Sequence, residues 1–216
     1  RSGPAITTVA VVAALAASLG AGLGAGVVIA TDDNTPATTY SATSTGVASQ
    51  ADLPVGSVSR VADDVLPSVV SIQFSTGTTG GSGSGVVISD NGLILTNNHV
   101  VEAAAPGGSL TVNFADGTST SAEIVGRDPS ADLAVIRVEG VDGLVPVALG
   151  SSGDLQVGQT VVAIGSPLGL TGTVTTGIVS AKNRPVTAGD GATDTSVLNA
   201  IQTDAAINPG NSGGAL

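Results

Sequence analysis

From Val69 to Gln202 the sequence breaks into short runs rich in Val, Ile, Leu and Thr, punctuated by turn signals. That pattern constrains the fold more than any other feature of the chain. The runs are Val69–Phe74, Gly85–Ser89, Leu93–Thr96, Leu110–Phe114, Ser119–Val125, Leu133–Val138, Val145–Leu149, Thr160–Ile164, Thr173–Val179 and Val197–Gln202. β-branched residues pack well on a pleated sheet, and Asp90-Asn91-Gly92 and Ala115-Asp116-Gly117 carry hairpin chemistry. Short strands at this spacing, with no helical pattern between them, predict antiparallel barrels or a sandwich. Composition agrees: with Tyr40, Phe74 and Phe114 as the only aromatics and 31 glycines, the core must come from aliphatic side chains in short elements. One helix is expected at the start of this domain, near Ser57. There Val58, Val61, Val65 and Leu66 recur at helical spacing before Pro67 ends the run.

The N-terminal part reads differently. No charged residue occurs between Ser2 and Thr31, and Ala5–Ala30 is almost wholly apolar. As a helix this segment would extend ~39 Å, enough to cross a hydrocarbon layer of ~30 Å with tilt. A soluble core helix of that length would show a polar face, and none is present. Val28-Ile29-Ala30 resembles a signal-peptide cleavage site. The run nevertheless exceeds the roughly 7–15 residues of a signal-peptide core, so an uncleaved anchor is favoured. Arg1 before it and Asp32-Asp33 after it put residues 1–4 on the cytoplasmic side and the bulk outside. Gly20/Gly24 and Gly22/Gly26 have helix-dimer spacing, which in so Ala/Gly-rich a stretch reflects composition. Residues 31–56, dominated by Thr, Ser, Ala, Pro and Asp, read as a linker, leaving 57–216 as the folded domain.

Charge and composition exclude several functions. A net charge of −11 argues against nucleic acid, whose phosphates require a basic footprint. The absence of cysteine removes disulfides, thiolate nucleophiles and Cys-based zinc sites. A single histidine removes multi-His metal centres, and no EF-hand spacing appears, so no cofactor or metal is expected.

Three places carry chemistry. His99, the only histidine, ends the strand-like run Leu95-Thr96-Asn97-Asn98-His99. Asp132 lies where the turn Asp128-Pro129-Ser130-Ala131 leads into a buried strand. Ser212 sits among glycines in Asn208-Pro209-Gly210-Asn211-Ser212-Gly213-Gly214. Alone, each has an ordinary structural reading: a core histidine, a turn aspartate, a tight-turn serine. Together they supply a hydroxyl nucleophile, a base with a pKa near working pH, and a carboxylate to orient that base. The amides of Gly210 and Ser212 would face the developing oxyanion. The order His, Asp, Ser is that of chymotrypsin-like barrels, not of subtilisins or α/β-hydrolases, and no Gly-x-Ser-x-Gly elbow occurs.

The strings TNNHVV, DPSADLAVIRV, VGQTVVAIGSPLGL and IQTDAAINPGNSGGAL resemble the protease domain of the HtrA/DegP (protease Do-like) family, from about Val58 to Leu216. The resemblance implies an all-β, chymotrypsin-like fold of two six-stranded β-barrels with the active site between them. It implies His99 as general base, Asp132 as orienting carboxylate, Ser212 as nucleophile and Gly210 as an oxyanion-hole donor. Ile207 is the kind of residue that could line a small apolar specificity pocket. The implied function is a serine endopeptidase acting on unfolded or damaged envelope proteins and their peptides. A chaperone or peptide-sensing module with weak proteolysis is the alternative. The expected setting is a bacterial cell membrane crossed once, with the protease domain on the extracytoplasmic side; trimers are usual in the family.

Relatives continue past the serine with strands that finish the second barrel, usually followed by PDZ domains. The chain stops four residues after Ser212. A truncated chain is therefore expected, one that carries the catalytic groups without the complete specificity pocket and is inactive by itself. Ser75–Ser84 is expected to be a short Gly/Ser/Thr-rich loop, where some relatives carry a long insertion.

Overall fold

The computed structural model describes residues 56–167, 172–188 and 196–216. The expected N-terminal stub (1–4), membrane segment (5–30) and all but the last residue of the linker (31–56) lie outside the described residues. Among the described residues no helix is long and apolar enough to cross a membrane.

Helix α1 (Val58–Val65) opens the domain where its valines predict. The Ser57 hydroxyl caps it by accepting from the Arg60 amide at 3.3 Å, and Pro67 permits only a short 3-10 turn, Leu66–Ser68, beyond it. Six strands follow: β1 (Val69–Ser75), β2 (Gly80–Val87), β3 (Leu93–Thr96), β4 (Ser109–Asn113), β5 (Ser119–Asp128) and β6 (Leu133–Val138). They close into an antiparallel barrel in the order β1-β2-β3-β6-β5-β4. Closure leaves no free sheet edge. Alternation does the sorting: in β6, Ala134, Ile136 and Val138 are buried while Leu133 and Arg137 are exposed. Inside the barrel, Val70, Ile72, Ile94, Val112 and Ile136 are fully buried, packed with Val87, Val101 and Leu110. At roughly 1.5–3 kcal/mol per buried aliphatic side chain, this cluster stabilises the domain without any aromatic at its centre.

Strands β7 (Thr160–Gly165), β8 (Thr173–Ala188) and β9 (Ser196–Thr203) form a three-stranded sheet in the order β7-β8-β9. The long β8 serves both neighbours in turn. Its first part pairs with β7 and its second with β9, with register shifts between Val179 and Arg184. A second apolar cluster, Val69, Val86 and Ile164 with Val65, Leu66, Leu95, Val162 and Val174 around them, joins this sheet to the outer face of the barrel.

Three sequence expectations need correction. Val145–Leu149 is not a strand; Val147 makes one ladder-like bond, to the Val87 carbonyl at 2.8 Å. Pro146 removes a donor, and Val145 and Leu149 point to solvent. Ser75–Ser84 is not a loop throughout: Gly80 begins β2, and its glycines lie opposite β1, where Phe74 covers Gly81. The loop shrinks to Thr76–Thr79, closed by the Thr76 amide donating to the Thr79 carbonyl at 2.9 Å. The inter-strand segments are also not wholly non-helical. β3 ends at Thr96, and His99 stands on a short helix, α2 (Asn98–Val101), rather than at the end of a strand. The described residues thus form one closed barrel and a three-stranded sheet.

Candidate active site

Three elements deliver the sequence-derived residues. β3 runs into α2, whose second residue is His99; the β5–β6 turn delivers Asp132; the segment after β9 delivers Ser212. Val100 and Val101 are buried in the barrel cluster, so α2 is fixed from below and the His99 side chain is left half exposed.

Asp132 reaches His99 twice. Its Oδ1 accepts the His99 backbone N–H at 3.0 Å, and Oδ2 lies 2.9 Å from the ring Nδ1. A carboxylate can only accept, so Nδ1 carries a proton, and in the neutral ring the lone pair is then on Nε2. The backbone of Asp132 is left-handed, φ 50°, a conformation costly for a residue with a side chain. Its carbonyl is clamped by the Asn97 side-chain amide at 2.8 Å and the Asn98 backbone amide at 3.1 Å. These two donors offset the strain and aim the carboxylate at the ring.

The turn before Asp132 has its own brace. Asp128 Oδ1 accepts from the Ser130 amide at 3.0 Å, the Ser130 hydroxyl, and the Ala131 amide at 3.2 Å. The Ser130 hydroxyl bond, followed by the Ala131 amide, holds the Asp128 carboxyl below the usual carboxylate range. Behind α2, buried Asn98 accepts from Arg127 at 3.0 Å and donates to Glu102 at 2.9 Å, tying the helix to β5.

The Ser212 segment is held from both sheets. On the barrel side, the Ser84 amide of β2 donates to the Ser212 carbonyl at 2.7 Å. On the other side, Ala215 and Ile164 of β7 exchange backbone bonds at 2.8 and 2.9 Å. Ser212 thus lies where the two sheets meet. Over Gly83, the Ser212 carbonyl and the Val100 side chain, next to His99, converge on one point. The structure therefore joins His99 and Asp132 directly and sets the Ser212 segment beside α2. Gly210 lies within the turn closed by the Asn211 amide on Asn208 O at 3.0 Å, and Ile207 is exposed just upstream of that turn. Sequence reasoning missed Asn97, Asn98 and Ser84. The polar pair Asn97-Asn98 between an apolar strand and a histidine was the available signal for the first two; for Ser84 there was none.

Comparison with known proteins gives a consistent assignment. Residues 83–216 match the family described as "Trypsin-like peptidase domain". Serine protease PepD of Mycobacterium tuberculosis is 57% identical over 173 residues, covering 77% of this chain and 37% of that protein. A probable periplasmic serine endoprotease DegP-like of Ectopseudomonas mendocina is 48% identical over 134 residues, covering 62% of this chain and 26% of that protein. The chain thus spans well under half the length of the curated relatives it matches. Among solved structures, the HtrA-type protease AlgW with tripeptide superposes with a TM-score of 0.62 at 39% identity, covering 74% of this chain and 50% of that one. The family match over residues 83–216 and these relatives fix the assignment: the chain belongs to the trypsin-like peptidase family, with HtrA/DegP serine proteases as its homologues.

Proposed function

We propose that the protein carrying this chain is a serine endopeptidase in which Ser212 attacks the peptide carbonyl, His99 moves the proton and Asp132 orients His99. The observation that carries this reading is the Asp132–His99 pair, with Asp132 Oδ2 2.9 Å from His99 Nδ1, a contact that in the neutral ring reserves the Nε2 lone pair for a proton. The Ser212 hydroxyl proton passes to Nε2 as the Oγ–C bond forms. The oxyanion so produced is met by the amides of Gly210 and Ser212. His99 then gives its proton to the leaving amine as the C–N bond breaks. Water, deprotonated by the same Nε2, hydrolyses the acyl-enzyme and restores the serine.

In this reading β7-β8-β9 belongs to the second barrel of a double-barrel protease domain over 57–216, with Ile207 lining the specificity pocket. The substrates are unfolded or damaged extracytoplasmic proteins and their peptides, an assignment supported by relatives described as a periplasmic endoprotease and as a tripeptide complex. Residues 5–30 anchor it to the membrane through a linker at 31–56, and a homotrimer is the expected assembly. A fluorophosphonate probe applied to the full-length protein should label it, and the label should disappear in Ser212→Ala. Absent labelling of the wild type, or equal labelling of Ser212→Ala, would overturn the proposal.

A further inference from the structure

The proposed reaction needs the peptide planes around Ser212 fixed before the substrate arrives. One residue of the other sheet does much of this. Ser84 is fully buried in β2, and its side-chain oxygen is engaged on both sides. It accepts the Ser166 backbone N–H, just after β7, at 2.8 Å and donates to the Gly210 carbonyl at 2.6 Å. A hydroxyl has a single proton that rotates to suit its partners. With Ser166 N–H aimed at the oxygen, that proton is directed to Gly210. The Ser84 backbone adds two bonds: its amide holds the Ser212 carbonyl at 2.7 Å, and its carbonyl accepts the Thr96 hydroxyl at 2.6 Å.

Three consecutive peptide planes run through the nucleophile segment. The Gly210–Asn211 plane is fixed at its oxygen by Ser84 Oγ and at its N–H by the Asn208 carbonyl at 3.0 Å. The Asn211–Ser212 plane is fixed at its oxygen by the Gly214 amide at 2.9 Å, which turns the Ser212 N–H the opposite way. The Ser212–Gly213 plane is fixed by the Ser84 amide. Ser84 therefore holds the two outer planes, and the plane between them carries an oxyanion donor. Of these contacts, only the Ser84 hydroxyl comes from a side chain and can be removed by substitution.

We infer that Ser84 is a positioning residue for the oxyanion site, its buried hydroxyl orienting the Gly210–Asn211 peptide and through it the donors that meet the transition state. This rests on the serine-peptidase reading above. Ground-state binding does not need that alignment, whereas the tetrahedral oxyanion does.

The test uses the full-length protein, a chromogenic peptide and a peptidyl boronate that forms a tetrahedral adduct with the serine. Ser84→Ala is expected to lower kcat about 10- to 100-fold, the scale of a displaced catalytic geometry, with KM changed less than about threefold. Boronate affinity should fall in parallel with kcat, while affinity for the cleaved product peptide holds. Ser84→Thr, which keeps the hydroxyl, should recover most of the loss. The inference is overturned if kcat and boronate affinity of Ser84→Ala stay within about threefold of wild type, or if product and boronate binding weaken together. If Ser84→Ala does not fold by circular dichroism, Ser84→Cys, close in shape but a weak donor, carries the same expectation and the same refutation. Failure of the underlying reading looks different: the wild type itself would neither cleave the peptide nor bind the boronate.

Discussion

Gly213 and Gly117 share a backbone conformation and differ in what surrounds them, so substituting alanine at each separates strain from space. Both are left-handed, φ +86° at Gly213 and +85° at Gly117. A Cβ at Gly117 meets nothing within 4 Å. At Gly213 it would sit 2.1 Å from the Ser84 carbonyl oxygen and 2.4 Å from Thr96 Oγ1. The first of these atoms is backbone in a closed barrel, and the second is the donor already bonded to it. Gly117→Ala should therefore cost only the left-handed term, about 1–2 kcal/mol. Gly213→Ala adds an overpacking cost of about 1–3 kcal/mol, for a total of about 2–5 kcal/mol. The assay is urea denaturation of the full-length protein in a Ser212→Ala background, which prevents self-cleavage, with midpoints compared at constant slope. Gly213→Ala should be the less stable variant by at least about 1 kcal/mol, a further fall of roughly 2–4 °C in Tm. Equal losses, within about 0.5 kcal/mol, would refute the claim that the serine segment is packed against β2 without slack.

Two further predictions concern the β5–β6 turn. Asp132→Asn keeps the shape but removes the acceptor that enforces Nδ1–H, so kcat on a peptide should fall on the order of 10³–10⁴-fold; a loss under tenfold would remove Asp132 from the proposed machinery. Asp128, whose carboxyl is held low by Ser130 and Ala131, adds stability that is complete above its unfolded-state pKa and disappears as pH falls through the folded-state one. Asp128→Asn should then be less stable than wild type at about pH 6, by a margin that shrinks as pH falls below the unfolded carboxylate value of about 4; parallel stability curves from about pH 6 downward would contradict the assignment.

How much of this was legible in the sequence depended on whether neighbouring residues alone decide the structure. β3 and β6 appear at their expected bounds because each is a short apolar run between clear turn signals. His99 and Asp132 were identifiable from residue type, order and the resemblance, and the turn chemistry at Asp128 is local. Val145–Leu149 failed because an apolar run predicts burial, not pairing, and Pro146 sits where the ladder needs a donor. The first part of strand β2 was hidden for the opposite reason. Its run Gly80-Gly81-Ser82-Gly83-Ser84-Gly85 lacks the side chains that advertise a strand, since Phe74, Val100 and Ile94 occupy that space from elsewhere in the chain. The role of Ser84 depends on partners 82 and 126 positions away, and no local pattern can announce contacts at that distance.

The bridge between Ala215 and Ile164 has a consequence for how such a site could be lost. The nucleophile segment is stitched to the barrel at Ser212 and to β7 three residues later, with Ser84 linking the same two sides through Ser166. Any movement that parts the sheets must break these stitches before it widens the gap between them. Separation of the sheets and dismantling of the serine's surroundings are thus one event, not two. In the proposed serine peptidase, parting of the sheets is therefore expected to disturb the nucleophile's surroundings, and with them cleavage, from the first stitch broken.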